Sequence, residues 1–364
     1  MKILSLSLDK SILDKSSPLA VRAADLGDLV EKYVVIVPAG RDVALALSDK
    51  SLVFGVSGGW KVIKLTKIYR LAKRLFGQAA FDVVTSQDPY FLGLVAAKLA
   101  KKFSVGLEIQ VHGWEKFSGL RKFVARRNLA QAKAVRCVSR RLKKQLINEL
   151  GVAEEKIIVV PIFSEKSQIP NPKSQNLKAE ENNKFIFLTV GRLVPVKNIG
   201  RQIEALAEIS KKHPNAELWV AGEGPERNNL KSKIENLKLG EKVKLLGQKS
   251  AEELAELYET ADAFVLTSDN EGWGLAVIEA ASFGLPIIMT DVGCAGEVIK
   301  DGISGIIFPP DDKKFLARAM AQILSDESLR RNLGVAARHA AAALPDKEQT
   351  HRLYLRSWQK AAIK

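Results

Sequence analysis

Short apolar runs alternate with helical patterns along most of the chain. Many runs are apolar at successive positions, which is typical of parallel strands covered by helices on both faces. The alternation predicts an α/β fold with doubly wound sheets. The strand candidates are 3–8, 34–37, 81–85, 105–111, 134–138 and 157–160 in the first half, and 185–190, 217–221, 243–246, 263–267, 286–290 and 305–308 in the second.

A segment rich in Ser, Asn, Pro and Lys separates the two halves, and we interpret residues 164–183 as an interdomain linker. The length of 364 residues fits two domains. We therefore expect an N-terminal domain over 1–163 and a C-terminal domain over 184–345. The helical pattern over 346–364 is free to pack back on the first domain.

Composition limits the location of the protein. No apolar run reaches the ~18 residues that span a bilayer. The first eight residues are too short for the apolar region of a signal peptide. The two cysteines, Cys137 and Cys294, are far apart, which argues against a disulfide framework or a zinc site. These features predict a cytoplasmic protein.

The net charge of +15 is unevenly distributed. Residues 1–178 contain 31 basic and 15 acidic side chains, whereas the remainder contains 25 and 26. The whole excess therefore lies in the N-terminal half. This asymmetry predicts an anionic partner for that half, either nucleic acid, an acidic lipid surface or a phosphorylated substrate.

Two turns in the second half follow predicted strands. In the stretch 187–198, Gly191 permits a tight turn that would hold Arg192 and Lys197 at the carboxyl end of a strand, where open α/β sheets bind ligands. Both cations suit a phosphate, although two solvated surface cations would give the same pattern. Gly222 and Gly224 form a similar turn, and an ordinary strand-to-helix turn explains these glycines equally well.

The stretch 268–286 carries the strongest signal. Gly272 and Gly274 flank Trp273 at the predicted start of a helix, whose free N–H groups and dipole favour a diphosphate. Glu271 precedes this helix and Glu279 lies two turns inside it.

Each of these carboxylates can accept two hydrogen bonds from the vicinal hydroxyls of a sugar. A solvated helix face with an acidic N-terminus is the alternative, but the glycines and the preceding strand favour a ligand site.

The stretch resembles the E-x7-E signature of the family 4 retaining glycosyltransferases, also called glycosyl transferases group 1. Four further segments occur in the order found in the family. They are Gly-Arg-Leu with Lys-Asn, Gly-Glu-Gly-Pro, Thr290-Asp-Val-Gly and Asp301-Gly-Ile-Ser-Gly. The resemblance is strong over 185–325. In the first half, Ser86-Gln-Asp-Pro and Gln110-Val-His-Gly-Trp resemble the acceptor domain of the family.

The resemblance implies the GT-B architecture, in which two Rossmann-like domains face each other across a cleft. It implies a nucleotide-diphosphate sugar as donor, a retaining reaction, and no metal or cofactor. Arg192 and Lys197 would hold the diphosphate, Glu279 the ribose, and Glu271 the transferred sugar. The implied catalytic residues are His112, Arg192, Lys197 and Glu271, and the implied donor-binding residues are Gly191, Arg192, Lys197, Gly222, Gly224, Glu271, Gly272, Trp273, Gly274, Leu275 and Glu279.

His112 would approach the donor sugar from the N-terminal domain, although a lone histidine is also common as a hydrogen-bonded structural residue. Three segments depart from the family pattern. Residues 7–18 lack the usual Gly-Gly loop, and Pro161-Ile-Phe-Ser replaces Pro-Asn-Gly. Gly293-Cys-Ala-Gly-Glu replaces a commoner Gly-Gly pattern, so donor-sugar selectivity could differ there.

Residues 61–76 separate apolar from basic positions at a helical period, and 121–144 form a second basic run. One interpretation is a helix packed on its own domain with a solvated face. The other is a patch at the inner face of an anionic membrane, where a lipid-linked or other glycan acceptor would be met. Nucleic-acid binding is supported only by charge, and we expect none. A nucleotide-sugar epimerase of the same architecture is the alternative enzyme.

Overall fold

The computed structural model describes residues 1–59, 61–114, 119–163 and 184–362. The predicted linker at 164–183 lies outside the described residues. The chain divides into two compact units, which are Met1–Pro161 with Lys347–Lys364, and Ile162–Asp346. Each unit is an α/β domain built on a parallel sheet, so the predicted fold class is confirmed. Among the described residues, no helix has the length and apolar content required to cross a membrane.

The sheet of the first unit has eight strands in the order β3-β4-β2-β1-β5-β6-β7-β8. All neighbours are parallel except β3 and β4. The strands are β1 (Lys2–Leu6), β2 (Lys32–Pro38), β3 (Val43–Ala46), β4 (Ser51–Val56), β5 (Val83–Ser86), β6 (Gly106–Val111), β7 (Ala134–Cys137) and β8 (Ile157–Val159). The helices that follow them in sequence are α1 (Pro18–Asp28), α2 (Lys61–Gln78), α3 (Phe91–Phe103), α4 (Gly119–Gln131) and α5 (Arg140–Leu150).

The sheet of the second unit has six parallel strands in the order β11-β10-β9-β12-β13-β14. The strands are β9 (Phe185–Val190), β10 (Ala216–Ala221), β11 (Val243–Gly247), β12 (Ala263–Leu266), β13 (Ile287–Thr290) and β14 (Gly305–Phe308). The helices are α6 (Ile199–Ile209), α7 (Arg227–Asn236), α8 (Ala251–Thr260), α9 (Leu275–Ser282), α10 (Lys313–Ser325) and α11 (Glu327–Ala342). One hydrophobic core of this unit packs strand residues such as Phe187 against helix residues such as Leu206.

The last helix, α12 (Lys347–Ala362), belongs to the first unit and packs on β5 to β8. Trp358 is fully buried, with its ring centroid 5.7 Å from that of Tyr33. The helix lies so close to the sheet that a Cβ atom on Gly106 would be 2.2 Å from the carbonyl oxygen of Ala361. Only a glycine fits there, and the close contact fixes the position of α12 on the sheet.

Every predicted strand is present, but β3 and β4 were not predicted. β3 is an edge strand of alternating alanines and larger residues and is only partly buried, so it lacks a strong apolar run. β4 contains Gly55, whose Cβ position is closely surrounded by Val43 and Ala39. A glycine inside a short apolar run weakens the strand signal and marks a close approach of another segment.

Candidate functional site

In the second sheet the strand order reverses between β9 and β12, and open α/β sheets bind ligands beyond the carboxyl ends of such strands. The loop after β9 contains the short 3-10 turn Pro195–Lys197. The hydroxyl of Thr267, just after β12, donates to the Lys197 carbonyl oxygen at 2.9 Å. Gln202 donates in turn to the Thr267 hydroxyl at 2.9 Å. This network fixes the Lys197 turn against the end of β12.

The two loops meet through an ion pair between the Lys197 ammonium and the Glu271 carboxylate. The two side chains are 20% and 14% exposed, so water screens the pair only in part. Ser268 also donates to Glu271 Oε1, at 2.8 Å. A lysine ammonium has three donors, and Glu271 takes one of them. The arrangement therefore holds a positive charge at the sheet edge with donors left for a second anionic partner.

Arg192 lies on the same loop and is exposed, and its side chain has no ion pair or hydrogen bond among the described residues. A Cβ atom on Gly191 would be 3.8 Å from Lys197 Nζ, so the ammonium passes over the backbone at Gly191. Arg192 and Lys197 thus provide two cations at one strand end.

Two further glycines are explained by contacts between loops. A Cβ atom on Gly222 would be 1.9 Å from the Gly191 carbonyl oxygen, and one on Gly224 would be 2.3 Å from that of Leu193. Any side chain there would push the β9 and β10 loops apart. These contacts account for both glycines without a ligand, and their predicted role in donor binding stays a prediction.

Helix α9 begins beyond Gly274, which adopts a left-handed conformation with φ of 89°. The first bond inside the helix runs from the Val277 N–H to the Gly274 carbonyl oxygen, at 2.9 Å. The N–H groups of Leu275 and Ala276 precede that bond and point out of the helix start. The Trp273 side chain is only 2% exposed, so this residue can serve a ligand through its backbone alone.

Gly293, in the loop after β13, lies directly against this helix start. Its φ is 58°, and a Cβ atom would be 2.6 Å from the Trp273 carbonyl oxygen and 3.0 Å from Glu271 Cβ. The next N–H, of Cys294, donates to the same Trp273 oxygen at 2.9 Å. Sequence reasoning noted the unusual loop at Gly293 but not this contact, which holds the Glu271 segment in place.

Glu279 is held by a residue that sequence reasoning missed. The Tyr258 hydroxyl on α8 donates to Glu279 Oε2 at 3.0 Å. Tyr258 is 1% exposed, and burial together with the Glu279 charge raises the pKa of its phenol well above the usual value. The phenol therefore stays protonated as a donor. Tyr258 lies on a different helix in an ordinary helical pattern, so no motif marks it.

His112 lies in the first unit, just beyond β6, and its Nε2 atom is 3.1 Å from Gln110 Oε1. His112 is exposed as a residue, and the main influence on its imidazole is desolvation by neighbouring protein atoms. This desolvation, together with the cations of Arg136 and Arg22, lowers the pKa of His112 to about 4. The imidazole is therefore neutral near pH 7.

Asn198 immediately precedes α6, but its side chain makes no capping hydrogen bond. Its backbone is left-handed, with φ of 50°, and its carbonyl oxygen accepts from the Arg201 N–H instead. Asn tolerates a left-handed backbone better than most residues, which explains why an asparagine occupies this position.

Comparison with known proteins gives two family matches, one in each half of the chain. The model of glycosyltransferase family 4 matches residues 32–163, and that of glycosyl transferases group 1 matches residues 171–340.

Several curated proteins are similar to this chain. An alpha-D-kanosaminyltransferase of Streptomyces kanamyceticus is 24% identical over 82% of this chain and 81% of its own length. An alpha-monoglucosyldiacylglycerol synthase of Streptococcus pneumoniae is 26% identical over 70% of this chain and 60% of its own. An exopolysaccharide phosphotransferase of Streptomyces coelicolor is 30% identical over 54% of this chain, which spans only 20% of that protein.

Solved structures show the same fold. A sucrose-phosphate synthase from Thermosynechococcus elongatus superposes with a TM-score of 0.83 at 20% identity, over 99% of this chain and 98% of its own. Anabaena HepE in complex with UDP gives a TM-score of 0.79 at 20% identity, over 99% and 100%. These are GT-B glycosyltransferase structures. The chain therefore belongs to the glycosyl transferases group 1, glycosyltransferase family 4, and has the GT-B fold.

Proposed function

We propose that this protein transfers a hexosyl unit from a nucleotide-diphosphate sugar to an acceptor hydroxyl, with retention at the anomeric carbon and without a metal ion. The observation that carries the proposal is the contact between Lys197 and Glu271 beside the start of α9. It joins a phosphate-binding cation, a carboxylate for sugar hydroxyls and unpaired helix N–H groups at a single strand edge.

The donor diphosphate would lie against Lys197, Arg192 and the start of α9. As the glycosidic bond breaks, negative charge grows on the leaving diphosphate, and these fixed positive groups stabilise it. Glu271 would accept hydrogen bonds from hydroxyls of the transferred sugar. Glu279, oriented by Tyr258, would accept them from the ribose.

For retention, the acceptor oxygen attacks the face from which the diphosphate departs, and a donor phosphate oxygen takes the acceptor proton. We therefore assign no protein base, and His112 serves to position the donor sugar. Proton NMR of the first product formed tests retention. The same anomeric configuration as in the donor is expected, and an inverted product would contradict it.

A thermal-shift screen of nucleotide sugars tests the donor site. One donor class should stabilise the protein, because a ligand bound only to the native state adds about 2.7 kcal/mol at one hundred times its Kd. Glu279→Ala should lose this shift, whereas Lys231→Ala, an exposed site on α7, should keep it. No shift with any donor would contradict the proposal, and nucleoside diphosphate release that needs no acceptor would favour the epimerase.

We also propose that the first unit meets its acceptor, a lipid-linked or surface glycan precursor, at an anionic membrane on the cytoplasmic side. On α2, Ile68 and Ala72 are buried against the unit, so the apolar face of this helix is not free to insert. The helix starts of α2 and α4 instead expose apolar side chains, with Val62 74% and Leu120 73% exposed. Lys64, Arg121 and Lys122 lie close to them in sequence, and this combination suits a lipid interface.

Liposome co-sedimentation tests this second proposal. Binding should require anionic lipid and should fall after charge reversal at Lys67, Arg70, Lys73 and Arg74, all on α2. Val62→Ser should weaken it further. Charge reversal at four exposed lysines of the second unit, Lys211, Lys212, Lys231 and Lys314, is the matched control. Equal binding by the α2 variant and the control would refute a membrane role for this face.

A further inference from the structure

The first unit contains a cavity of about 220 Å³, which we term the polar cavity. Its wall includes side chains of the β1 loop, α1, β7 and α12, among them Asp9, Arg22, Arg136 and Tyr354. The volume corresponds to about seven water molecules, enough for a single sugar ring or a phosphorylated polyol. All of the described lining residues belong to this unit.

The cavity lies near a point in the first sheet where ligands commonly bind in α/β proteins. In the first sheet the strand order reverses between β1 and β5. The loops after these strands are joined by a hydrogen bond from the Ser7 hydroxyl to Gln87 Oε1, at 2.6 Å. Gln87 and Asp9 line the cavity, near the switch point where open α/β sheets bind small molecules.

Arg136 is an unusual residue for a buried strand. It lies on β7, is 5% exposed, and places its guanidinium carbon 3.8 Å from the centroid of the Tyr354 ring. Its Nε is 3.4 Å from Glu108 Oε1. Glu108 does not line the cavity and also accepts hydrogen bonds from Thr85 and Ser357. Glu108 thus holds the Arg136 side chain from outside the cavity lining, and this contact preorganises the guanidinium.

The charges on the cavity wall favour an anion. Two arginines, Arg22 and Arg136, and one acidic residue, Asp9, line it, while Glu108 pairs with Arg136 from outside the lining. The Asp9 carboxylate already accepts the Ser11 N–H at 3.0 Å, since it caps a 3-10 turn. His112 is neutral near pH 7 and therefore adds no positive charge to that of the two arginines. Arginine forks match carboxylate and phosphate groups in a bidentate manner.

The His112 ring adds a neutral polar group. Gln110 donates through Nε2 to the Thr85 hydroxyl at 2.7 Å, so its amide oxygen faces the His112 ring. An amide oxygen only accepts, and His112 Nε2 must therefore carry the proton. Nδ1 is then an acceptor for a hydroxyl. The cavity thus pairs an anion-binding side with a hydroxyl-binding side.

We propose that the polar cavity binds a carboxylate or phosphate group of a hydroxylated acceptor, held by Arg22 and Arg136. This inference rests on the proposed transfer function, because it names the chemical class of the acceptor. The acceptor would present an anionic group to the arginines and a hydroxyl near His112.

Calorimetric titration of the full chain with D-glucuronate, D-glucose 6-phosphate and D-glucose tests the proposal. At least one of the two anions should bind, and neutral glucose should bind at least about tenfold more weakly, because a charge-assisted hydrogen bond is lost. The two anions separate a carboxylate from a phosphate preference. Equal binding of glucose, or no binding of either anion, would overturn the proposal.

Two variants and one control locate the site. Arg22→Gln should weaken anion binding about tenfold or more. Ala23→Leu, at a wall residue that is 3% exposed, should reduce binding as strongly by filling the space without altering charge. Arg356→Gln, at an exposed site on α12, should leave binding unchanged. Unchanged anion binding in both wall variants would overturn the proposal. Two different substitutions are used so that poor folding of one variant does not prevent the test.

Nucleoside diphosphate binding, measured on the same samples, separates this inference from the proposed function. Both ligands should bind, and Arg22→Gln should weaken only the anionic sugar. Anion binding without any nucleotide binding would refute sugar transfer but leave the cavity assignment in place. Nucleotide binding weakened by Arg22→Gln to the same extent would overturn the cavity as a separate acceptor site.

Discussion

The carboxyl edge of the second sheet and the polar cavity of the first unit both lie at a point where strand order reverses, but they are built differently. The edge takes its ligand groups from two short stretches, around Lys197 and Glu271, each directly after a strand. The cavity takes its groups from positions as distant as Asp9 and Tyr354.

This difference has a physical basis. A phosphate site needs backbone N–H groups and glycines, and these must be neighbours in the chain because one loop supplies them. A cavity between a sheet and two helices needs only side chains that converge in space. A phosphate site is therefore visible in the sequence as a motif, whereas a cavity of this kind is formed by residues that are scattered along the sequence.

Trp358→Ala should destabilise the first unit by about 3–5 kcal/mol, because a fully buried aromatic side chain is removed. Urea unfolding, followed together with nucleotide binding, measures the change. The cavity should be lost with the docking of α12, while the second unit keeps its nucleotide affinity. Arg356→Ala, on an exposed turn of the same helix, is the control. Equal destabilisation by both variants would mean that α12 is not anchored by Trp358.

Lys197→Ala should lower the turnover number for sugar transfer about 100- to 1,000-fold, since one donor to the developing charge is removed. Steady-state release of nucleoside diphosphate in the presence of acceptor measures it. Lys231→Ala should behave as the wild type. A turnover number within a factor of three of the wild type in Lys197→Ala would exclude Lys197 from catalysis.

Gly293→Ala should cost about 1–3 kcal/mol more than Gly296→Ala. Both glycines have positive φ, 58° and 75°, so both variants carry the same kind of backbone strain. Only at Gly293 would the new Cβ meet Trp273 and Glu271, whereas nothing lies within 4 Å of it at Gly296. Chemical unfolding compares the pair. Equal losses would show that the loop can shift away from Glu271.

The pH dependence of stability should carry a contribution from His112. Its folded pKa of about 4 lies below the ordinary value of 6.5, so the unfolded chain takes up a proton first as pH falls. Stability is therefore unaffected above pH 7 and decreases between pH 6.5 and 4. Urea titrations at pH 7 and 5 should show that the free energy of unfolding falls less between these two pH values in His112→Gln than in the wild type. An identical loss in both proteins would argue against the lowered pKa.

Tyr258→Phe should have the smallest effect, a loss of about 1 kcal/mol or roughly fivefold in donor affinity, since one hydrogen bond to Glu279 disappears. Calorimetry with the donor selected by the thermal-shift screen measures it. Tyr69→Phe on α2 serves as the control. A loss as large as that of Glu279→Ala would assign Tyr258 a direct contact with the ligand.

Much of the second unit could be predicted from sequence. Its strands are short and apolar, Gly191 directly follows one of them, and Gly274 marks the start of the helix after another, so the sequence predicted the ligand-binding edge of the sheet. The contact between Lys197 and Glu271, 74 residues apart, follows once β9 and β12 are neighbours. Tyr258 could not be predicted, because its partner on another helix depends on how α8 and α9 pack.

The polar cavity left only an indirect signal. Arg22 and Arg136 belong to a basic half, where most cations are solvated, and charge alone did not separate them from the rest. The signal was a charged residue inside each of two predicted strands, Glu108 and Arg136. Opposite charges in adjacent buried strands must pair, and their pairing here places a guanidinium at the cavity wall.

The most direct test of the account compares a nucleoside diphosphate with its monophosphate by calorimetry. The wild type should bind the diphosphate more tightly, and Lys197→Ala should bring the two affinities together. Glu279→Ala should weaken both ligands equally and preserve their ratio, because it acts on the ribose. An unchanged ratio in Lys197→Ala, or a ratio that collapses in Glu279→Ala, would contradict the division of the donor site between these two residues.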